Sequence, residues 1–170
     1  MSTIKDNSFP IPGSPLRRFT VPVKGEVNEV KWEDVNMWGM GLHAIHPMLK
    51  GKKHRYAWSP ANKGEGVWWN ALVKIDMKKG DDASIIWYQE DHYPSEVSFI
   101  PRPGATEEDD GVVVSVVMGN DGETGTSYLL VLDAKDMTEI SRVPAPVFLP
   151  FPSHGHTCAT VEGEKMCFWA

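Results

Sequence analysis

The sequence of 170 residues predicts an all-β protein in which antiparallel strands follow one another as a meander. Its apolar segments are short, rich in β-branched and aromatic residues, and bounded by turn residues. The 13 prolines are spread along the chain and interrupt most windows that could form a helix. Short strands joined by tight turns are typical of a β-propeller blade or a β-sandwich, and without a clean internal repeat the pattern leaves both open.

Nine segments have the composition and length of strands. They are residues 16–23, 54–59, 67–76, 84–90, 96–100, 111–118, 126–133, 138–143 and 165–169. The unbroken branched run at residues 112–117 predicts a strand buried on both faces. Turn residues at 102–104, 119–122 and 133–136 separate the strands of the second half. The acidic residues 107–110 predict a solvated loop.

Charge and cysteine content narrow the classes of function. The net charge of −6, without a basic stripe, excludes nucleic acid as the main partner. Two cysteines, Cys158 and Cys167, are fewer than a secreted disulfide scaffold needs, which favours a reducing compartment. Residues 1–12 lack the apolar run of a signal peptide, and no stretch has the length of a membrane span. The expected location is the cytoplasm.

Five motifs follow one another between residues 91 and 155. They are YPSE at 93–96, FIPRPG at 99–104, EEDDGVVVSVV at 107–117, YLLVLDAKDM at 128–137 and LPFPSHG at 149–155. In order and spacing they resemble the end of a carotenoid cleavage oxygenase, a family that includes carotene dioxygenases and the retinoid isomerase of the eye. A weaker likeness at residues 16–23 and 51–58 extends the resemblance over most of residues 15–155, roughly the last third of a family member.

The resemblance implies a seven-bladed β-propeller, of which this chain holds the last blades. It implies an iron(II) ion on the propeller axis, held by four histidines, three of which are oriented by glutamates. The implied partners are a carotenoid or retinoid substrate and O₂, with peripheral membrane contact in a full-length protein. The chain then divides into a flexible tail (1–14), a segment of the propeller (15–157) and a divergent end (158–170).

His154 matches the last iron-binding histidine of the family, because His-Gly follows the apolar Pro-Phe stretch. A neutral imidazole is a good ligand for iron(II). In this sequence Ser153 stands where family members usually have an aromatic residue. His156 is the alternative ligand, since residues two apart in a strand point to the same face. The other three histidines of the implied site would precede residue 1.

Glu96 matches a glutamate that accepts a hydrogen bond from a ligand imidazole in the family. Such a bond fixes the tautomer of the ring and raises its basicity. Because each glutamate serves its own histidine, Glu96 is expected to serve one outside this chain and need not touch His154. A second such glutamate aligns with Gly41 and is absent. His43 and His46 match no family ligand and are expected in a loop or in packing.

Two classes of function remain open. In the first, the chain is part of an iron(II)-dependent enzyme that uses O₂ to cleave a double bond of a carotenoid or apocarotenoid, and by itself it is inactive. In the second, it is a non-catalytic β-sheet module that binds a carotenoid or retinoid, or completes a propeller with another chain. Iron content separates the two, because a working enzyme of this family needs the metal. The substrate, and the choice between cleavage and isomerisation, do not follow from these residues.

Overall fold

A computed structural model gives the fold of the chain. It describes residues 15–25, 29–38, 41–63, 68–120, 125–150, 154–161 and 164–169, and within the last two ranges only the side chains of His154 and Cys158. The predicted tail at residues 1–14 lies outside the described residues. Within the described part, no helix has the length and apolar character of a membrane span.

The described chain is built of antiparallel strands and a 3-10 turn at Pro47–Leu49. The strands are β1 (Leu16–Thr20), β2 (Lys31–Asn36), β3 (Tyr56–Ala61), β4 (Ala71–Asp76), β5 (Gly80–Tyr88), β6 (His92–Pro101), β7 (Gly111–Gly119), β8 (Thr126–Asp133), β9 (Glu139–Pro144), β10 (His156–Val161) and β11 (Glu164–Trp169). They form four sheets, with the orders β1-β2, β3-β4-β5, β6-β7-β8-β9 and β10-β11. Every neighbour in a sheet is also the neighbour in sequence, which confirms the predicted meander.

The four-stranded sheet β6-β7-β8-β9 has the composition of one propeller blade, and a partial propeller fits the whole arrangement. The burial of its second strand, β7, shows that the prediction of a strand buried on both faces was wrong. Along β7 the side chains alternate between buried and half-buried, so one face of the run at residues 112–117 is closed and the other partly open. Continuous burial is found in β4, from Ala71 to Asp76, and in the middle of β6, from Pro94 to Phe99. Although β6 is at the edge of its own sheet, β3 and β4 pack against it.

The main core lies between the three-stranded and the four-stranded sheets. Trp58 of β3 stacks on Phe99 of β6, with ring centroids 4.5 Å apart and an angle of 13° between the planes. The indole N–H of Trp58 donates to the carbonyl oxygen of Ala134 at 3.2 Å. Both aromatic residues are buried. This aromatic stack joins the sheets through apolar area and geometry together.

Two of the acidic residues 107–110, Glu108 and Asp109, make contacts between the sheets, which corrects the prediction of a solvated loop for that half of the segment. The Glu108 carboxylate accepts hydrogen bonds from the backbone N–H groups of Arg55 and Tyr56, at 2.7 and 2.6 Å. Asp109 forms an ion pair with Lys74, and both side chains are mostly buried. The loop therefore fastens the four-stranded sheet to β3 and β4.

Two strands were missing from the sequence-based prediction. β2 is almost entirely exposed and carries Trp32, Glu33 and Asp34 without a clear apolar face. β10 pairs with β11 in the divergent end of the chain, where Cys158 lies opposite Cys167 in the register. Cys158 is disulfide-bonded, a pairing that the low cysteine count did not suggest.

Candidate functional site

Glu96 lies in a β-bulge near the beginning of β6. Pro94 pairs with Val117 of β7 and Val97 pairs with Ser115, so Ser95 and Glu96 share the space opposite one residue. The Ser115 hydroxyl donates to the carbonyl oxygen of Ser95 at 3.2 Å, which supports the irregular backbone. The bulge therefore sets the direction of the Glu96 side chain independently of the strict alternation along the strand.

The Glu96 carboxylate meets the segment that leads into β10. Its Oε2 atom accepts a hydrogen bond from the backbone N–H of Gly155 at 3.0 Å. The same oxygen lies 3.4 Å from Nδ1 of His154. The carboxylate side chain is 7% exposed, whereas the imidazole side chain is 78% exposed. A buried acceptor thus holds the backbone next to an accessible histidine.

The sequence did not require this contact, and the histidine that Glu96 serves stays a prediction. Glu96 was expected to serve a histidine outside the chain, but the structure brings it to His154, 58 positions away along the sequence. At 3.4 Å the contact is longer than an ordinary N–H···O hydrogen bond. A movement of a few tenths of an ångström would convert it into one. With the proton on Nδ1 facing Glu96, Nε2 is the nitrogen that has a lone pair to offer.

The other predicted histidines lie elsewhere. His46 accepts a hydrogen bond from the N–H of Met48 at 3.2 Å and lies against Phe99, which is the packing role expected of it. His43 lies in the wall of a cavity on the other side of β3. The side chain of His156 is outside the described residues, so its place as the alternative ligand stays a prediction.

Gly41 occupies the position where the resemblance places a second glutamate. Its φ angle is +105°, in a region that L-residues with a side chain rarely adopt. Its carbonyl oxygen accepts a hydrogen bond from the Ser59 hydroxyl at 2.9 Å. The backbone here suits glycine, so a glutamate at this position would require a different local conformation.

The described side chains fit one of the four ligand positions of the implied iron site. Among the described residues, no three side chains of His, Cys, Asp or Glu come together as a metal-binding group. His154 is an accessible imidazole with a carboxylate beside one nitrogen, which is the usual arrangement around a ligating histidine. The remaining ligands that the resemblance implies would come from outside these residues.

Sequence reasoning proposed Glu96 and His154 but did not indicate the backbone donor that bonds to Glu96. The Gly155 N–H carries no signal in the sequence, because any residue except proline supplies the same donor. The bulge had a weak signal, since the proline at position 94 restricts the backbone at the start of an apolar strand.

Comparison with known proteins places the chain in a family. The family model described as "RPE65: Retinal pigment epithelial membrane protein" matches residues 2–156. The rice "Carotenoid cleavage dioxygenase 8 homolog A, chloroplastic" is 38% identical over 149 residues, which cover 85% of this chain and 26% of the relative. The Neurospora crassa "Carotenoid dioxygenase" is 41% identical over 131 residues, covering 73% of this chain and 21% of that protein.

Solved structures agree on the fold. A Synechocystis apocarotenoid oxygenase mutant superposes with a TM-score of 0.73 at 21% identity, covering 92% of this chain and 30% of that one. A cobalt-substituted form of the Synechocystis enzyme gives a TM-score of 0.72 at 23% identity over the same shares. The chain spans about a quarter of the length of the curated relatives it matches. From the family match and these identities, the chain belongs to the carotenoid oxygenase family.

Proposed function

We propose that the chain is one part of an iron(II)-dependent oxygenase that cleaves a double bond of a carotenoid or apocarotenoid with O₂. The observation that carries the proposal is the pairing of Glu96 with His154. The family match and the names of the curated relatives, which are carotenoid dioxygenases, support the substrate class.

His154 would supply one of four imidazole ligands, through Nε2. Glu96 would hold the proton on Nδ1, which keeps the ring in the tautomer that leaves Nε2 free. The hydrogen bond from Gly155 to Glu96 fixes the backbone beside the ligand, so the ring is restrained from two sides. Iron(II), when bound, would supply the chemistry that activates O₂ toward the alkene.

By itself the chain would be inactive, because one imidazole does not bind iron(II) tightly. We expect the purified 170-residue chain to retain iron weakly or not at all in a metal analysis. Iron that copurifies at about one equivalent, and is lost in His154→Ala, would contradict this expectation.

The test is a chimera in which residues 15–170 replace the matching segment of an active carotenoid dioxygenase. We expect the chimera to cleave its carotenoid and to bind iron, and His154→Ala to abolish both, because a ligand is removed. His156→Ala is the matched control and should leave both in place. An active chimera that tolerates His154→Ala would transfer the ligand assignment to His156. A folded chimera that binds no iron and has no activity would favour the non-catalytic module.

A further inference from the structure

A second site is suggested by a cavity of about 610 Å³ between the β1–β2 hairpin, the segment before β3 and the β4–β5 turn. Its wall contains cationic side chains from three elements. They are Arg17 and Arg18 of β1, Lys52 and Lys53 before β3, and Lys78 after β4. The cavity is lined by elements other than those that hold Glu96 and His154, so the two sites are separate.

The arginines and the lysines of this wall differ in their partners. Arg17 is paired with Asp34 and Arg18 with Glu33, each with a nitrogen to oxygen distance of 2.6 Å. In the described part of the chain, no ion pair joins Lys52, Lys53 or Lys78 to a carboxylate. Three ammonium groups thus remain uncompensated in a protein whose net charge is −6.

Two histidines lie beside the cationic side chains without carrying the charge of the site, which comes from the lysines and arginines. His43 and His54 both line the cavity. The pKa of His43 is lowered, first because the surrounding protein removes water from the ring and then because a charge on His54 opposes a second one. No aspartate or glutamate is among the described residues that line the cavity. An anion entering it would meet attraction from several directions.

The cavity also has an apolar lining. Leu16, Val35, Ala57 and Met77 contribute it, and Ala57 is completely buried. A site with an apolar lining and a cationic wall suits a ligand that carries an apolar group and an anionic group together. A bare cation would be repelled by the lysines, and a neutral polyene would not be attracted by their charge.

We propose that this cavity binds a phosphate monoester with a short apolar group. Compact ammonium groups on flexible stems are suited to phosphate, whose dianion offers three terminal oxygens to several donors at once. Lys52, Lys53 and Lys78 would hold the phosphate, while the apolar group covers Leu16 and Val35. The phosphate can belong to a soluble ester or to the headgroup of an acidic lipid.

Titration calorimetry with the 170-residue chain tests the site, with hexyl phosphate and inorganic phosphate as probes. Hexyl phosphate should bind at least about tenfold more tightly than inorganic phosphate, because several methylene groups leave water on binding. Vesicles of phosphatidylcholine, with and without phosphatidic acid, form a separate arm in a co-sedimentation assay. Binding to the acidic vesicles identifies a lipid headgroup, whereas binding of hexyl phosphate alone identifies a soluble ester.

Two pairs of variants locate the binding. Lys78→Gln should weaken hexyl phosphate binding at least about fivefold, because a charged donor is lost. Lys79→Gln removes the same charge from the adjacent residue, which is outside the cavity wall, and should bind like the original chain. The double variant Lys52→Gln/Lys53→Gln should lose most of the affinity, whereas the exposed pair Lys24→Gln/Lys31→Gln should not.

Two results would overturn the proposal. One is a folded chain, judged by circular dichroism, that binds neither hexyl phosphate nor acidic vesicles. The other is an affinity that falls equally in the cavity variants and in their charge-matched controls, since that would indicate nonspecific attraction. The iron-binding test of the chimera has a separate readout, so either site can fail alone.

Discussion

Two sets of buried carboxylates differ in what faces them. Asp76 receives the Arg55 guanidinium within the three-stranded sheet, and Asp109 receives the Lys74 ammonium at the contact between the sheets. Glu96 instead receives one backbone N–H and lies near an imidazole that is open to solvent. The first two carboxylates are neutralised by permanent cations within the sheets. Glu96 faces an exposed imidazole, the arrangement that the proposed function requires of a carboxylate behind a metal ligand.

The largest expected effect is on the interior pair between Lys74 and Asp109. Lys74→Ala would leave Asp109 charged and mostly buried, without its cation. We expect the free energy of unfolding to fall by about 3–5 kcal/mol, the usual cost of breaking a buried pair from one side. Urea denaturation followed by tryptophan fluorescence measures the change.

Lys135→Ala is the matched control for that experiment. Lys135 also pairs with an acidic residue of the same loop, Glu107, but both side chains are largely exposed. Its removal should leave the urea midpoint unchanged within error, since solvent screens such pairs. Equal losses in the two variants would show that burial does not set the contribution of these ion pairs to stability.

The second effect concerns acid stability. The Arg55 guanidinium holds the pKa of Asp76 below its ordinary value of 3.8. The unfolded chain therefore takes up a proton at this carboxyl first as the pH falls. The stabilisation from the pair is complete above about pH 4 and is lost below that value, as the pH approaches the folded pKa.

Asp76→Asn should make stability depend less on pH in the acid range. The urea midpoints at about pH 5 and about pH 3 should then differ less than in the original chain. Asp34→Asn provides the comparison. The pKa of Asp34 is also lowered, by its hydrogen bond to Arg17, but that pair lies at the surface. If the urea midpoints at the two pH values differ less in Asp34→Asn than in Asp76→Asn, the surface pair contributes more to acid stability than the buried one, which contradicts this prediction.

The smallest stability effect is expected at Glu96. Glu96→Gln keeps an oxygen that can accept from Gly155, so the free energy of unfolding should change by less than about 1 kcal/mol. In the active chimera the same change should lower carotenoid cleavage by roughly tenfold to a hundredfold, the usual cost of losing the carboxylate behind a ligating histidine.

Iron content and activity of Glu96→Gln would be followed together, with Glu96→Asp as the variant that keeps the charge. We expect iron content and activity to recover partly in Glu96→Asp, because the charge is kept. Recovery would be incomplete because the shorter side chain reaches less far. A large loss of stability in Glu96→Gln with activity per bound iron unchanged would place Glu96 among the structural carboxylates.

The sequence predicted β7 and β8 well, because each is a branched or aromatic run that ends at turn residues. β7 and β8 fall within one residue of their predicted bounds. β2 was not predicted because it has no apolar pattern. Its pairing with β1 depends instead on cross-strand contacts such as that of Arg17 with Asp34. The 3-10 turn at Pro47–Leu49 has three residues, a single turn, so no repeating pattern in the sequence could predict it.

By itself the sequence predicted the antiparallel meander and the family and proposed Glu96 and His154 as site residues, since these rest on local composition and on motifs read in order. Only the tertiary structure decided what those residues meet. The bulge directs the Glu96 carboxylate to His154 and to the backbone N–H of Gly155, which is 59 positions away along the sequence. The packing of the sheets brings the acidic loop into hydrogen bonds with the backbone before β3. The reason is physical: burial, register and long-range pairing depend on how sheets pack, and that packing is encoded by the whole chain rather than by any one segment.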